Sequence, residues 1–305
     1  MLRLIKNTLR VHLHSKTFLF SCTGALGICG MYIFNDEHNT FRAVPFLFIA
    51  VLTAVPVCFG AGTEFSDGTL RNKLTAGVTK TQFLMAQVIA AIADAVIMLL
   101  ITLIPYDLIT QNALLPSQDT AKGLWIALLL LTMTAAAAVI FAVLTCLTQT
   151  KMAVLLCGIM SVGLVAGSMW AEGKLLQPEE YQGNRSELFV YDESGENIID
   201  SIVTVETIPN NSCVKGKARA ALYVGFRLSP FSCLNIADQL SHASVDTVNA
   251  PDAARTKYYE NRFEEHCDFN CSAYIDLWKA IAWTLGECAV FTAIGVMIFR
   301  KRNII

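Results

Sequence analysis

The chain has 305 residues, of which 54% are hydrophobic and only 16% are charged, with a mean hydropathy of +0.49 and a formal net charge of −2. This composition is too apolar and too sparsely charged for an ordinary soluble domain of the same length. We therefore interpret the chain as an integral membrane protein that lies in a lipid bilayer, and we expect no nucleic-acid partner.

The first 16 residues predict an amphipathic helix. Leu2, Ile5, Leu9 and Leu13 recur at helical spacing, and a polar, cationic flank lies between them. Such a helix lies in the inner interface of the membrane before the chain enters the bilayer. The alternative is a frayed basic terminus that serves only to set the topology.

Six apolar stretches are long enough to cross a membrane, because a hydrocarbon core about 30 Å thick needs about 20 apolar residues per helix. We place them at residues 17–34, 43–62, 83–104, 123–147, 152–170 and 277–299. With the amino terminus inside, the inner segments hold 11 Lys and Arg residues and the two short outer loops hold 2. The positive-inside rule therefore predicts that both termini are cytoplasmic.

A short polar insert, residues 64–77, separates the second and third predicted spans. Asp67 is placed to cap a helix over residues 69–75, and Gly77 is placed to end it in a left-handed conformation. The motif Thr79-Lys80-Thr81-Gln82 then has the form of a capping box that begins the third span. The insert thus predicts a short basic helix facing the cytoplasm; the alternative is an ordinary loop whose charges set topology.

Two acidic residues, Asp94 and Glu287, fall near the middle of predicted spans. An ionised carboxylate at that depth costs about 2.5 to 3.5 kcal/mol on insertion scales, so both side chains must face protein or a cavity. Two interpretations remain open. Either the two residues line a translocation path and contact a cationic part of the cargo, or each is protonated or hydrogen-bonded in helix packing.

The long segment 171–276 is predicted to lie outside the cell as a small α+β domain between the fifth and sixth spans. It carries 17 of the 25 acidic residues of the chain. Its β-rich runs, residues 188–191 and 198–205, predict a hairpin. Helices are predicted at residues 218–228, 230–241 and 251–266.

Four of the ten cysteines fall in this outer segment, namely Cys213, Cys233, Cys267 and Cys271. An even number of cysteines in an oxidising compartment predicts two disulfides, for which three connectivities are possible. The alternative is a metal site. Its ligands would be His242, His266, Cys267 and Cys271. Because these residues lack the paired short spacing that is typical of such sites, we predict no metal site.

The sequence Glu64-Phe65-Ser66-Asp67-Gly68-Thr69-Leu70-Arg71-Asn72-Lys73-Leu74, followed by Gly77 and a span near Phe83, resembles the first cytoplasmic loop of type-2 ABC exporter permeases. The ending Phe299-Arg300-Lys301-Arg302-Asn303-Ile304-Ile305 is similar to the carboxyl terminus common in that family. The six spans and the interfacial helix match as well. The resemblance covers the two membrane parts of the chain and leaves the outer segment uncovered, since the family's connection there is usually shorter.

The resemblance implies that the insert is a coupling helix that rests in a cleft of a separate ABC ATPase. The implied coupling residues are Glu64, Asp67, Thr69, Leu70, Arg71, Lys73 and Leu74. It also implies an assembly of two ATPase subunits with two permease chains, identical or related, in a bacterial plasma membrane. The connection before the last span would dip back into the outer leaflet, with residues 228–236 as the candidate. Because members of this family move such compounds, the resemblance also implies peptides, antibiotics or other amphipathic compounds as cargo.

The chain contains no G-x-x-x-x-G-K-[ST] phosphate-binding sequence, and no dinucleotide fingerprint or zinc-type motif stands out. We therefore predict no catalytic residue, no metal and no cofactor bound by this chain. ATP and Mg are expected on the partner ATPase.

The expected architecture is an all-α polytopic membrane protein with six transmembrane helices, an amphipathic amino-terminal helix and the small outer domain. Its parts are the interfacial helix (1–16), the first five spans (17–170), the outer domain (171–276), and the last span with a basic tail (277–305). Two other functions remain open. One is a membrane receptor whose outer domain senses a ligand and whose inner loop docks a signalling partner. The other is a membrane enzyme that uses carboxylates within the bilayer.

Overall fold

The computed structural model describes residues 1–35, 44–109, 120–175, 180–185, 190–191, 197–199, 204–209, 213–242 and 277–302. This part of the chain is mainly helical. Its helices are α1 (Leu2–Leu13), α2 (Lys16–Asn35), α3 (Val44–Leu52), α4 (Ala54–Ser66), α5 (Thr69–Thr75), α6 (Lys80–Ile109), α7 (Thr120–Thr148), α8 (Ala153–Leu175), α9 (Gly216–Arg227), α10 (Ser232–His242) and α11 (Leu277–Lys301). Between α8 and α9 lie the strands β1 (Glu180–Arg185), β2 (Val190–Tyr191), β3 (Asn197–Ile199) and β4 (Thr204–Pro209).

Six segments of the described chain are long and apolar enough to cross a membrane, which confirms the six predicted spans. They are Lys16–Ile33, Pro45–Ser66, Lys80–Leu108, Gly123–Thr148, Ala153–Leu175 and Leu277–Lys301. The third segment begins at Lys80, three residues before the predicted apolar stretch, because the predicted capping box forms at its start. The Thr79 backbone N–H donates to Gln82 Oε1 at 3.0 Å, and the Gln82 N–H donates to Thr79 Oγ1 at 3.2 Å.

The second span is broken into α3 and α4 at Thr53. Pro56 causes the break, because it has no backbone N–H to donate to the carbonyl of Leu52 four residues earlier. The Thr53 hydroxyl donates to the Ala50 carbonyl at 2.6 Å, so it is satisfied locally at the break. The Thr53 backbone is nevertheless helical, with φ −62° and ψ −21°, and the Val57 N–H donates to the Thr53 carbonyl at 3.4 Å, so the span keeps one helical course that lacks the hydrogen bond of Pro56.

α7 is the centre of the bundle and packs against α4, α6, α10 and α11. In the most apolar 18-residue stretch of each helix, 72% of the α7 residues are buried, compared with 17% for α11 and 22% for α8. α11 approaches α7 closely at Gly295, where an added Cβ would lie 2.5 Å from Val143 Cγ1. Small residues let helix backbones approach one another in membranes, and Gly295 serves this purpose here.

α9 and α10 each pack against helices of the bundle, α9 against α8 and α10 against α7, α8 and α11. This packing does not support the prediction that their residues belong to a separate outer domain. The side chains of Phe226, Phe231 and Ile236 are buried. Burial of these apolar groups favours the packing of this segment against the bundle. Residues 251–266, the third predicted helix, lie outside the described residues.

The segment between α9 and α10 packs beside the interior of α8 and α11 rather than beside their ends. The Ser229 hydroxyl donates to the Leu164 carbonyl at 3.3 Å, and Leu164 lies about 16 Å along α8 from Leu175. Cys233 contacts Thr284, which lies about 10 Å along α11 from Leu277. That residues 228–236 re-enter the membrane stays a prediction.

The four strands pair in two antiparallel two-stranded sheets, β1 with β4 and β2 with β3. The β2–β3 pair lies between β1 and β4 in the sequence, so the two pairs are nested. The predicted hairpin differs in detail, since residues 198–205 are divided between β3 and β4. β1 was not predicted, because its sequence Glu-Tyr-Gln-Gly-Asn-Arg lacks the β-branched residues that favour strands.

Candidate functional site

The polar insert forms a two-turn helix, α5, between the end of α4 and the start of α6. Its bounds, Thr69–Thr75, are those predicted, and Gly77 follows with a left-handed φ of +91°. The predicted cap is wrong. Gly68, with φ +69°, precedes the helix, whereas Asp67 ends α4 and accepts a hydrogen bond from the Ser66 hydroxyl at 3.0 Å. The reversal between the two helices is so tight that Gly takes the position at which Asp was expected.

The inner face of α5 is fixed to α4 by an ion pair and by apolar packing. Lys73 Nζ donates to Glu64 Oε2 at 2.5 Å, and the Glu64 side chain is almost fully buried. Leu70 is 1% exposed and Leu74 packs against the same core. Four of the seven predicted coupling residues therefore hold α5 in place. We call Glu64, Leu70, Lys73 and Leu74 the α5 clamp.

An aromatic cluster of Phe65, Phe83 and Phe299 lies beside the α5 clamp. The ring centroids of Phe65 and Phe83 are 5.7 Å apart, and both lie 6.2 Å from the ring of Phe299. Lys73 Nζ also lies 5.7 Å from the Phe83 centroid, within the range of a cation–π contact. These rings come from α4, α6 and α11 and pack the three spans together beside α5, which contacts α4 directly and Phe83 of α6 through Lys73.

The outer face of α5 is exposed. Asp67, Thr69 and Arg71, the other three predicted coupling residues, lie on it together with Asn72. Arg71 presents a guanidinium, which forms paired hydrogen bonds with carboxylates more readily than an ammonium does. We call these four residues the α5 outer face; it offers a partner one cation, one anion and two neutral polar groups.

Basic residues at the same end of the bundle satisfy the last carbonyls of two helices. Lys80 Nζ donates to the carbonyls of Arg300 at 3.3 Å and Arg302 at 2.6 Å, and Arg302 Nη1 donates to the Leu147 carbonyl. Cations at helix carboxyl ends both fill vacant acceptors and balance the helix dipole. The basic tail is thus also a structural cap that ties α6, α7 and α11 together.

Asp94 does not line an open path. Its Oδ2 lies 2.7 Å from Nδ1 of His12 in α1, and both side chains are fully buried. This contact supports the packing interpretation for Asp94, and a role in a translocation path stays a prediction. The pair also fixes α1 against α6, with Thr8 and His12 buried at the contact.

Sequence reasoning missed His12, although one signal was present. Asp94 needed a partner, and His12 follows Ile5 and Leu9 at helical spacing on the apolar stripe of α1. The stripe was taken to face lipid headgroups. A histidine on such a stripe, in a chain with a buried acid, instead indicates packing against a span.

Gly60 of α4 makes room for the His12 ring. An added Cβ would lie 2.5 Å from His12 Nε2, so we expect Gly60→Ala to displace the ring, weaken its bond to Asp94 and lower stability by about 1 to 3 kcal/mol. The matched control is Gly27→Ala in α2, where an added Cβ meets nothing within 4 Å. Apparent melting temperatures in detergent compare the two. Equal melting temperatures would show that the space beside Gly60 holds a methyl group without displacing the His12 ring.

Glu287 lies in a different place, on the wall of a cavity of about 980 Å³ between α7, α8, α9 and α11. The structure therefore does not bring Asp94 and Glu287 together in one site. The cavity wall is mostly apolar, with Arg227, Lys279 and Glu287 as its charged members. Of the two acids, Glu287 is therefore the better placed for contact with cargo.

The cysteine prediction is corrected for Cys233. This residue is a free, buried thiol in α10, with Sγ 3.4 Å from Thr284 Oγ1. It is buried because α10 packs against α7 and α11. Cys213 lies before α9, and its Sγ is 3.7 Å from Arg219 Nη1. Cys267 and Cys271 lie outside the described residues. No group of three metal-binding side chains occurs in the part of the chain that the structure describes.

The two ends of the bundle differ in chemistry. One end carries α5 and the basic caps described above. At the other, the rings of Trp125 and Trp278 meet edge to face with centroids 4.7 Å apart, and Trp170 is exposed. Tryptophans favour the membrane interface.

Comparison of the chain with protein-family models and with curated proteins gives no match.

Proposed function

We propose that the chain is the membrane-spanning permease subunit of an ATP-driven ABC exporter, moving peptides, antibiotics or other amphipathic compounds. One observation carries this proposal. α5 is held against α4 by the Glu64–Lys73 ion pair and by the buried Leu70, and it leaves Arg71 exposed. A short helix of this kind is suited to receive force from a partner, because a displacement of α5 is passed to α4 through these contacts.

In the proposed mechanism, the α5 outer face docks in a cleft of the ATPase, which binds ATP and Mg. Two ATPase subunits serve two permease chains, identical or related. When ATP draws the ATPase subunits together, the α5 clamp passes their displacement to α4 and α6. α4 in turn contacts α1 through Gly60 and His12. ATP binding makes the contact between the ATPase subunits and one state of the bundle more favourable than their contact with the other state. The bundle therefore shifts between states with different access to the cargo.

The proposed orientation places the α5 end, with its Lys and Arg residues, in the cytoplasm and the Trp125–Trp278 end outside. Both termini are then cytoplasmic in a bacterial plasma membrane. The nested strands β1 to β4 belong to the proposed extracytoplasmic part.

Charge reversal at Arg71 tests the proposal. The tagged chain is purified from its native membrane in a mild detergent, and the mass of the complex and its rate of ATP hydrolysis are measured. We expect an ATPase at equal stoichiometry, and Arg71→Glu to lower its recovery at least about tenfold, since a loss of about 1.4 kcal/mol already corresponds to that factor. Lys301→Glu, at the same end but away from α5, is the matched control.

Three results would contradict the proposal. They are a complex with no nucleotide-hydrolysing subunit, equal recovery with Arg71→Glu and the parent chain, and recovery of a kinase or regulator instead. The last result would favour the receptor function. Thermal stability of both variants is measured in parallel, and we expect it unchanged because both side chains are exposed.

A further inference from the structure

The cavity beside Glu287 is elongated along one face of α11. Lys279, Trp283, Glu287, Phe291 and Ile294 all lie on its wall and recur at three- to four-residue spacing. Their span along the helix is about 22 Å at 1.5 Å per residue. A volume of about 980 Å³ is in the range of sites that hold drug-sized ligands. The cavity thus has the size and shape for one extended, mostly apolar molecule.

Glu287 is the acidic residue on this wall. Its Oε1 is buried and has no hydrogen-bond partner among the described residues. Arg227 and Lys279, the two cations of the wall, each have an interaction partner in the protein. The Arg227 guanidinium lies over the Tyr223 ring, 5.4 Å from its centroid. A cation in this cavity can therefore gain a hydrogen bond to Glu287 that the described part of the protein does not supply.

Aromatic side chains flank that acceptor. Trp283 and Phe291 lie one turn before and one turn after Glu287 on the same face of α11, and Tyr223 lies on the facing wall from α9. The faces of aromatic rings attract cations, and a carboxylate adds a full negative charge. Aromatic rings around a carboxylate form a site for a bulky organic cation, whereas an anion would face the same charge as its own.

We propose that this cavity binds an amphipathic organic cation, with the positive group beside Glu287 and the apolar body along Val290, Phe291 and Ile294. As a statement about cargo, this rests on the proposed function and narrows the cargo to cationic amphiphiles of drug size. Binding itself needs only this chain. A failure here is therefore distinguishable from the absence of an ATPase partner.

The test uses two probes of nearly equal shape and opposite charge, tetraphenylphosphonium and tetraphenylborate. The purified chain in lipid nanodiscs is dialysed against each labelled probe, and binding to empty nanodiscs is subtracted. We expect one saturable phosphonium site per chain and no saturable borate site. Glu287→Gln should weaken phosphonium binding at least about tenfold, since it removes a close charge in an apolar setting. Glu172→Gln, in α8 but off the cavity wall, should bind as the parent chain does.

A second variant tests the place of binding rather than its charge. Gly286 lies on the cavity wall, and an added Cβ there meets nothing within 4 Å. Gly286→Leu should therefore fold, fill part of the cavity and abolish saturable binding, with gel filtration and the melting temperature as checks on folding. The proposal is overturned if the parent chain shows no saturable phosphonium site, if borate binds equally well, or if Glu287→Gln and Gly286→Leu both bind as the parent does.

Discussion

Replacing His12 by alanine is expected to lower the free energy of unfolding by about 3 to 5 kcal/mol, because it leaves the buried carboxylate of Asp94 without its partner. The loss is large since Asp94 is fully buried within a span, where water cannot replace the hydrogen bond. Denaturation with sodium dodecyl sulfate in mixed micelles measures the change. His14→Ala is the matched control. His14 is exposed in the turn after α1 and should change stability by less than about 0.5 kcal/mol.

A double-mutant cycle separates the pair from its surroundings. Asp94→Ala should also destabilise the protein, and the double variant should cost less than the sum of the two single changes, by about 0.5 to 3 kcal/mol. This follows because removal of both partners leaves no unpaired charge. Additive losses, or a His12→Ala variant as stable as His14→Ala, would show that the contact contributes no specific stabilisation.

Leu70→Ala is expected to release α5 from the bundle. Leu70 is 1% exposed, and truncation of a buried leucine costs about 2 to 5 kcal/mol in a packed core. A helix of seven residues does not form alone in water, so α5 depends on this docking. Hydrogen exchange followed by mass spectrometry should show loss of protection across Thr69–Thr75, and recovery of the ATPase should fall.

Arg71→Ala is the matched control for this release. Arg71 is the neighbouring residue but lies on the exposed side, so α5 should keep its protection from exchange and its stability to within about 0.5 kcal/mol. Under the proposed function, recovery of the ATPase should nevertheless fall. Retained protection in Leu70→Ala would show that the clamp does not depend on Leu70 and that its ion pair suffices.

The spans and the short helix could be predicted because their signals are local. Apolar length fixes a span, and the pair Thr79 and Gln82 fixes where the third one begins. The left-handed Gly77 ends α5 for a reason that also lies within a few residues. At Asp67 the same kind of reasoning failed. The preference of Asp for helix N-caps is local, whereas the tight turn between α4 and α5, which requires Gly68 before α5, is not evident from that preference.

The inward and outward halves of the insert could not be told apart from sequence. Lys73 and Arg71 have the same charge and lie two residues apart, yet one faces Glu64 and the other is exposed. The contact of His12 with Asp94 joins residues 82 apart in sequence, so the helical spacing of His12 shows that it faces a partner but not which one. The packing of α10 against α7 was not predicted for a similar reason, because it depends on distant residues.

The hydrogen bond that Pro56 cannot donate to Leu52 has a mechanical consequence. A helix bends more easily where a backbone hydrogen bond is missing than where every bond is made. Pro56 lies ten residues before Ser66, the last residue of α4, so about 15 Å of helix joins α5 to this point. We therefore expect a tilt imposed from the α5 end to bend the span near Pro56 and to leave the nine residues of α3 in place.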